Sequence, residues 1–394
     1  MREVVIVSGM RTPIGDFLGS LKELTAVELG IIALKAALNK AGIEPGQIEE
    51  VVAGHSNQAG CKPNTARQVA LGSDCSVETV AVTVNQLCVS SMRATEILSQ
   101  EIMLGKVEIG AAVGPESMSN IPYLLPGARN GYRMGSAQVV DAMFNDGLID
   151  AFNNYHMGVT AENLAKMYKI TRQEQDELAL LSHQRACHAT KENRFKAEII
   201  PVEIKTKKGS VLIDTDEHPK SDTSLAGLAK LKPVFDKEGT VTAGNASGLN
   251  DAAAALILMA ADKAKELGVK PLARIVATAS AAVDPKIMGI GVVPAVKRAL
   301  HFAKLTLKDI GYWEINEAFA AQFLAVNREL NLDMDKVNAN GSGISLGHPV
   351  SCTGARLVVT LLHEMQRRGV RFGCASLCGG GGPATAIIVE QYLD

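Results

Sequence analysis

Three short segments of the 394-residue sequence set reactive side chains beside tight backbone. Gly347-His348-Pro349 holds an imidazole between a glycine and a proline. Cys378 opens the run Gly379-Gly380-Gly381-Gly382-Pro383. Consecutive glycines cost chain entropy and bury no side chain, so the run implies backbone N–H groups aimed at something that approaches closely. The third segment is Val84-Asn85-Gln86-Leu87-Cys88-Val89-Ser90-Ser91-Met92. There a β-rich run (Val80–Val84) leads through a turn into a helix reaching Leu104. A thiol at a helix start feels unsatisfied N–H groups and the positive dipole end, which predicts a lowered pKa and a reactive thiolate. The competing reading is a buried structural cysteine, and this segment alone does not separate the two.

A fourth segment, Asn316-Glu317-Ala318-Phe319-Ala320, follows the strand-like Trp313–Ile315. An Asn–Glu pair at a strand end could polarise a carbonyl or hold a water. Asn316 could equally cap a helix with Glu317 in its first turn. His348, Cys352, Cys374 and Cys378 could serve as soft metal ligands. However, the Cys374/Cys378 spacing lies along an apparent strand and no second close pair occurs, so no metal is expected. Gly341-Ser342-Gly343-Ile344-Ser345-Leu346-Gly347 is one residue off the dinucleotide fingerprint and lacks the ribose-binding acid; no Walker A motif occurs.

What must position these groups is an internal repeat. Lys35-Ala36-Ala37-Leu38 through Ile48 matches Lys297-Arg298-Ala299-Leu300 through Ile310, an offset of 300 − 38 = 262. Both are amphipathic helices followed by a turn and a strand-like run. The same ungapped offset carries Ser91–Gly105 onto Thr353–Arg367 and Gly110–Gly114 onto Phe372–Ser376. The pattern predicts two β/α halves around a pseudo-twofold axis. The first spans residues 1–118 and is completed by about 250–270; the second spans 271–394. Between them, residues 119–249 read as an inserted, loop-rich substrate-binding region, with helices at about 159–167 and 172–193, the latter capped by Thr171. Asn250-Asp251-Ala252 opens an Ala-rich helix-to-strand passage back into the core. Under the offset Cys88 maps onto Val350, two residues from His348, and Glu116 maps onto Cys378. The symmetry therefore predicts that the Cys88 and His348 turns meet at the strand-to-helix ends, the usual ligand position in open α/β sheets.

Composition excludes several function classes. The chain is 47% apolar and 21% charged with a net charge of −2, which gives no nucleic-acid or acidic-membrane signal. The run Val4–Val7 is too short for a signal-peptide core and reads as a buried first strand. No stretch approaches the ~18 uncharged apolar residues of a transmembrane helix. Seven cysteines, an odd number, suit reduced thiols in a cytoplasmic setting.

The sequence resembles the thiolase family along essentially its whole length. The matching segments are Arg11-Thr12-Pro13, Asn85–Ser91, Asp146-Gly147-Leu148, His156-Met157-Gly158, Ala161-Glu162-Asn163, Gly244–Gly248, Asn250-Asp251, Asn316–Phe319, Gly347-His348-Pro349 and Cys378 with its glycines. The resemblance implies a five-layer αβαβα fold of two duplicated halves with an inserted loop domain, assembled as a homotetramer or homodimer. It implies an acyltransferase that condenses two acetyl-CoA to acetoacetyl-CoA plus CoA and runs the reverse thiolysis. Coenzyme A thioesters are then substrates, and no cofactor is needed. Cys88 would be the nucleophile, His348 its base and Cys378 the acid/base for the α-proton. A water held by Asn316 would, with His348, form one oxyanion site, and the Cys88 and Gly380 N–H groups the other, a Cβ at Gly380 crowding the thioester oxygen. His156 and Met157 resemble the short-chain type. Ser247 would meet the pantetheine arm, with Leu148, Lys220, Ala318 and Phe319 completing the substrate contacts. Where the family has Gly, this chain has Val89, Ser91, Ser351 and Ala252; where it has Arg, Gln86 and Lys220. Val89 and Ser91 are expected to add bulk beside the nucleophile. Other readings are a broader-chain 3-ketoacyl-CoA thiolase, a β-ketoacyl synthase (disfavoured by Cys378) and a non-catalytic CoA- or lipid-binding homologue.

Overall fold

The computed structural model describes residues 1–207 and 209–392. The first apolar run becomes β1 (Val4–Arg11), buried throughout. Helix α1 (Ala26–Ala41) starts at a Thr25/Glu28 capping box and ends at Gly42, whose φ of 66° suits a residue without Cβ. Next come β2 (Glu50–Gly54), α2 (Thr65–Gly72), β3 (Val80–Val84), α3 (Ser90–Met103) and β4 (Ile109–Ser117). The chain then makes an excursion through α4 (Gly158–Tyr168) and α5 (Arg172–Lys191), the latter opened by a Thr171/Glu174 capping box. It returns as β5 (Asn250–Ala260), which is strand from its first residue, with no helix at Asn250–Ala252. Every residue of β5 is buried between β1 and β4, so ladder bonds prevail over the helix preference of its alanines. The remainder is β6 (Ala273–Ala282), α6 (Val292–Ala303), β7 (Tyr312–Ile315), α7 (Ala320–Leu330), α8 (Thr353–Arg368), β8 (Phe372–Cys378) and β9 (Pro383–Gln391).

The strands run in the order β3-β2-β4-β5-β1 and then β6-β9-β8-β7, so the halves mirror each other. They join only where Val5 faces Arg274 and Ile6 faces Ala273. In each half a parallel pair (β2/β4, β7/β8) is followed by an antiparallel one (β4/β5, β8/β9). Helices α3 and α8 touch each other and strands of both halves, forming a central layer. Helices α1 and α2 pack on the first half-sheet; α6, with α7 beside it, packs on the second. The result is the five-layer αβαβα arrangement. The central helices cross closely because α8 has a glycine there. A Cβ on Gly354 would lie 2.6 Å from the Met92 backbone nitrogen on α3. No helix among the described residues is long and apolar enough to cross a membrane.

Candidate active site

The two central helices point their N-termini at one cavity of about 620 Å³, with Cys88 from the first half and His348 and Val350 from the second on its wall. Cys88 sits in a single 3-10 turn (Leu87–Val89) just before α3. Leu87 is held at a φ of 50° there, an unfavourable conformation for a branched side chain. Side chains hold the turn: Asn85 Oδ1 accepts from the Leu87 N–H at 3.0 Å, and Ser90 Oγ accepts from the Gln86 N–H at 2.8 Å.

The expected lowering of the Cys88 pKa is not what the structure gives. Burial pushes the thiol up to about 11, outweighing the N–H groups of Gly380 and of Cys88 itself, which favour the thiolate, while Glu116 adds to the rise. The helix-start donors are present, but desolvation of a fully enclosed sulfur exceeds them. Deprotonation therefore needs a base.

His348 has the geometry of one. Its Nδ1 lies 2.6 Å from Thr353 Oγ1, and that hydroxyl gives its own proton to the Pro349 carbonyl at 2.9 Å. The hydroxyl must then accept from Nδ1–H, which leaves Nε2 as a bare lone pair. Nε2 has no hydrogen-bond partner among the described residues. Burial first, and then the Arg356 cation, bring the His348 pKa down to about 4 against the opposing pull of Glu116. The ring is thus a neutral acceptor at physiological pH. The backbone N–H of His348 donates to Asn250 Oδ1 at 2.8 Å.

Cys378 ends β8 and is buried; its thiol is pushed up to about 12 by burial and then by the nearby Cys88 sulfur. The glycines after it form a tight loop, closed by Gly379 N–H to Pro383 O at 2.7 Å. Gly380 lies in that loop, between Gly379 and Pro383. A Cβ there would meet the Met157 side chain at 2.2 Å and Leu87 at 2.7 Å, so protein atoms already fill that space.

Asn316 follows β7 and is fully buried, and neither side-chain amide atom has a partner among the described residues. It does not cap a helix, because α7 begins after Phe319. Glu317 instead ties the insertion to the second half, accepting from Ser182 at 2.6 Å and Asn338 at 3.0 Å.

The insertion supplies one cavity wall through Leu148, His156, Met157 and Phe235, and Ser247, Ala318 and Phe319 form part of another. His156 stacks on Phe235 with centroids 4.4 Å apart. Asn316 and Lys220 do not line the cavity, whereas Cys378 and Gly380 adjoin the Cys88 sulfur on its wall. Lys220 is exposed, in the loop whose His218 abuts Gly248 on the cavity wall. Val89 and Ser91 do not add bulk to the cavity. Val89 packs toward Gly379, and Ser91 Oγ accepts the Ala355 N–H at 2.8 Å between α3 and α8. Sequence reasoning missed Thr353, Asn250 and Phe235 as site residues. Thr353, five residues past His348 at a helix start, was open to inference; nothing local marks Phe235. Among the described residues no three His, Cys, Asp or Glu side chains gather as metal ligands.

Comparison with known proteins bears on this geometry directly. Residues 4–262 match the family model of the thiolase N-terminal domain, and residues 269–391 that of the thiolase C-terminal domain. The acetyl-CoA acetyltransferase of Cupriavidus necator is 51% identical over 392 residues, covering 99% of this chain and 100% of that one. The Escherichia coli acetyl-CoA acetyltransferase is 48% identical over 392 residues, again 99% and 100%. Among solved structures, Syntrophomonas wolfei acetyl-CoA acetyltransferase superimposes with a TM-score of 0.98 at 49% identity, covering 99% of this chain and 100% of that one. Human mitochondrial 3-ketoacyl-CoA thiolase gives 0.97 at 43%, covering 99% of each chain. Two duplicated halves, a Cys88 turn and a His348 turn facing one cavity, and both family models matched nearly end to end leave one conclusion: this chain belongs to the thiolase family.

Proposed function

We propose that the protein is an acetyl-CoA C-acetyltransferase, joining two acetyl-CoA into acetoacetyl-CoA plus CoA and catalysing the reverse thiolysis. The observation that carries the reading is the bare Nε2 of His348 on the same cavity wall as a Cys88 sulfur that faces the Gly380 N–H. Full-length relatives with that name support the acyl donor.

In the first half-reaction His348 Nε2 takes the Cys88 proton. The sulfur attacks the acetyl carbonyl carbon, and the C–S bond to CoA breaks, with the CoA thiolate taking a proton from Cys378, which is left as the thiolate while His348 keeps the proton of Cys88. The carbonyl oxygen, negative in the tetrahedral intermediate, is held by the N–H groups of Cys88 and Gly380. In the second half-reaction the Cys378 thiolate removes an α-proton from another acetyl-CoA, whose enolate oxygen is held by the Nε2–H of protonated His348 and by a water on Asn316. The carbanion attacks the acetyl–Cys88 carbonyl, and the Cys88–acyl bond breaks to release acetoacetyl-CoA, the Cys88 sulfur taking its proton back from His348.

We also infer a homo-oligomer. The segment 120–144 exposes Tyr123, Leu125, Met134 and Val139, and the edge strand β3 exposes Val80 and Val82. Seven free cysteines support a reducing, cytoplasmic location. Profiling thiolysis of 3-ketoacyl-CoAs by chain length tests the substrate reading. Highest kcat/KM on acetoacetyl-CoA is expected, and a preference for six carbons or more would overturn it. Sedimentation velocity tests the assembly.

A further inference from the structure

The loop that carries His348 belongs to the second half, yet its backbone is fastened by side chains of the first. On one side of the imidazole the His348 N–H donates to Asn250 Oδ1 at 2.8 Å. On the other the Ser351 N–H donates to Glu116 Oε2 at 3.0 Å, and the Ser351 hydroxyl donates to the same oxygen. Ser56 Oγ adds a third donor to that oxygen at 2.9 Å, and also lies 3.2 Å from Ser351 Oγ. The other oxygen, Oε1, faces His55 Nε2 at 3.5 Å, close enough for charge attraction but beyond a good hydrogen bond. Glu116, His55 and Ser351 are all fully buried.

A buried carboxylate is tolerable only with polar partners around it, and here they are supplied from two segments of chain, His55-Ser56 and Ser351. Burial alone would raise its pKa, but His55 and Ser351 hold it below the usual carboxylate range. It is therefore an acceptor only, and each donor bond fixes a direction. Glu116 lies one residue before the end of β4, opposite Ala252 of β5. Under the internal repeat its counterpart is Cys378, which sits opposite Ala384 of β9. The two halves thus place a chemically active group at the same strand-end position, one entering the reaction and the other gripping the base loop.

We propose that Glu116 is a positioning residue for His348, acting across the junction of the halves through Ser351. The inference rests on the reading of His348 as the base that activates Cys88. Its test is the rate at which acetyl-CoA acetylates Cys88, followed by mass spectrometry in single-turnover mixing of the full chain. Glu116→Met removes every acceptor while keeping length. It should lower the maximal acetylation rate about 10²-fold, the cost of a misplaced catalytic group, with the half-saturating acetyl-CoA concentration unchanged. Glu116→Gln keeps an acceptor oxygen toward Ser351 and turns its NH2 toward His55, and should return the rate to within about tenfold of the parent. A Met variant within twofold of the parent, a loss appearing in half-saturation instead of the maximal rate, or a Gln variant no better than Met would each overturn the proposal. If Glu116→Met does not fold, Ser351→Ala decides. A roughly three- to tenfold lower maximal rate supports the role, and an unchanged rate refutes it. Failure of the parent itself to acetylate at Cys88 would instead overturn the underlying reading of function.

Discussion

The neutral state of His348 can be tested through stability as well as rate. A histidine that titrates near 4 when folded and at 6.5 when exposed binds its proton mainly in the unfolded chain between those values. Its folded pKa is depressed, so stability rises with pH through that window and falls on acidification. At pH 7.5 the penalty is close to zero. At pH 5 it reaches about 2 kcal/mol, and below pH 4 it levels off at about 3 kcal/mol. His348→Asn removes the titration while leaving an amide N–H near the Nδ1 position to face Thr353 Oγ1. Urea unfolding at one fixed protein concentration should therefore show a smaller stability loss between pH 7.5 and pH 5 in the variant, by about 2 kcal/mol. Other titrating groups cancel in the comparison. The kinetic counterpart is a Cys88 acetylation rate with no inflection near pH 6.5. Equal pH slopes for the two proteins, or an acid limb centred on 6.5, would refute the account of a desolvated, neutral ring.

Thr353→Val keeps the shape but leaves the His348 Nδ1–H without its acceptor, a loss of about 1–3 kcal/mol; acetylation should slow roughly tenfold or more, measured by single-turnover mixing. Cys378→Ala should still acetylate at Cys88 with labelled acetyl-CoA, while condensation and thiolysis fall by about 10²–10⁴; near-normal turnover would remove Cys378 from the mechanism. Gly380→Ala sets a methyl 2.2 Å from Met157 and should lower acetylation by about 10² by displacing the N–H at Cys88. Adding Met157→Ala should restore part of that rate in a double-mutant cycle. Gly354→Ala forces a methyl against the Met92 backbone at 2.6 Å, so it should destabilise by about 1–3 kcal/mol in denaturant unfolding.

Much of the architecture was legible because duplication leaves a periodic trace. The offset that aligned two helix–turn–strand patterns also aligns α3 with α8 and β4 with β8. The Thr171/Glu174 cap was legible because its chemistry is local. The strand at Asn250–Ala252 was not, since alanine favours helix locally and only burial between β1 and β4 selects a strand. Similarly, Cys88 shows its helix-start position in the sequence but not its desolvation, which depends on atoms from distant segments. Val89 and Ser91 misled for the same reason. Their neighbour in sequence is the candidate nucleophile Cys88, whereas their neighbours in space are Gly379 and Ala355.

The duplicated halves also explain how one cavity acquires unlike groups. At the equivalent helix starts, one half carries the thiol of Cys88 and the other carries Val350, next to a histidine. At the equivalent strand ends, one half carries an ionised carboxylate and the other a neutral thiol. A thiol in place of Glu116 would leave the His348 loop without its acceptor. Among the described residues the half-sheets share a ladder of two residue pairs, too short to set the distance between Cys88 and His348 by itself. That distance must be set by the packing of α3 on α8 and by the bonds that cross with it, from Ser91 to Ala355, Glu116 to Ser351 and Asn250 to His348. The polar groups that cross the junction therefore help to fix where the Cys88 and His348 turns stand relative to each other.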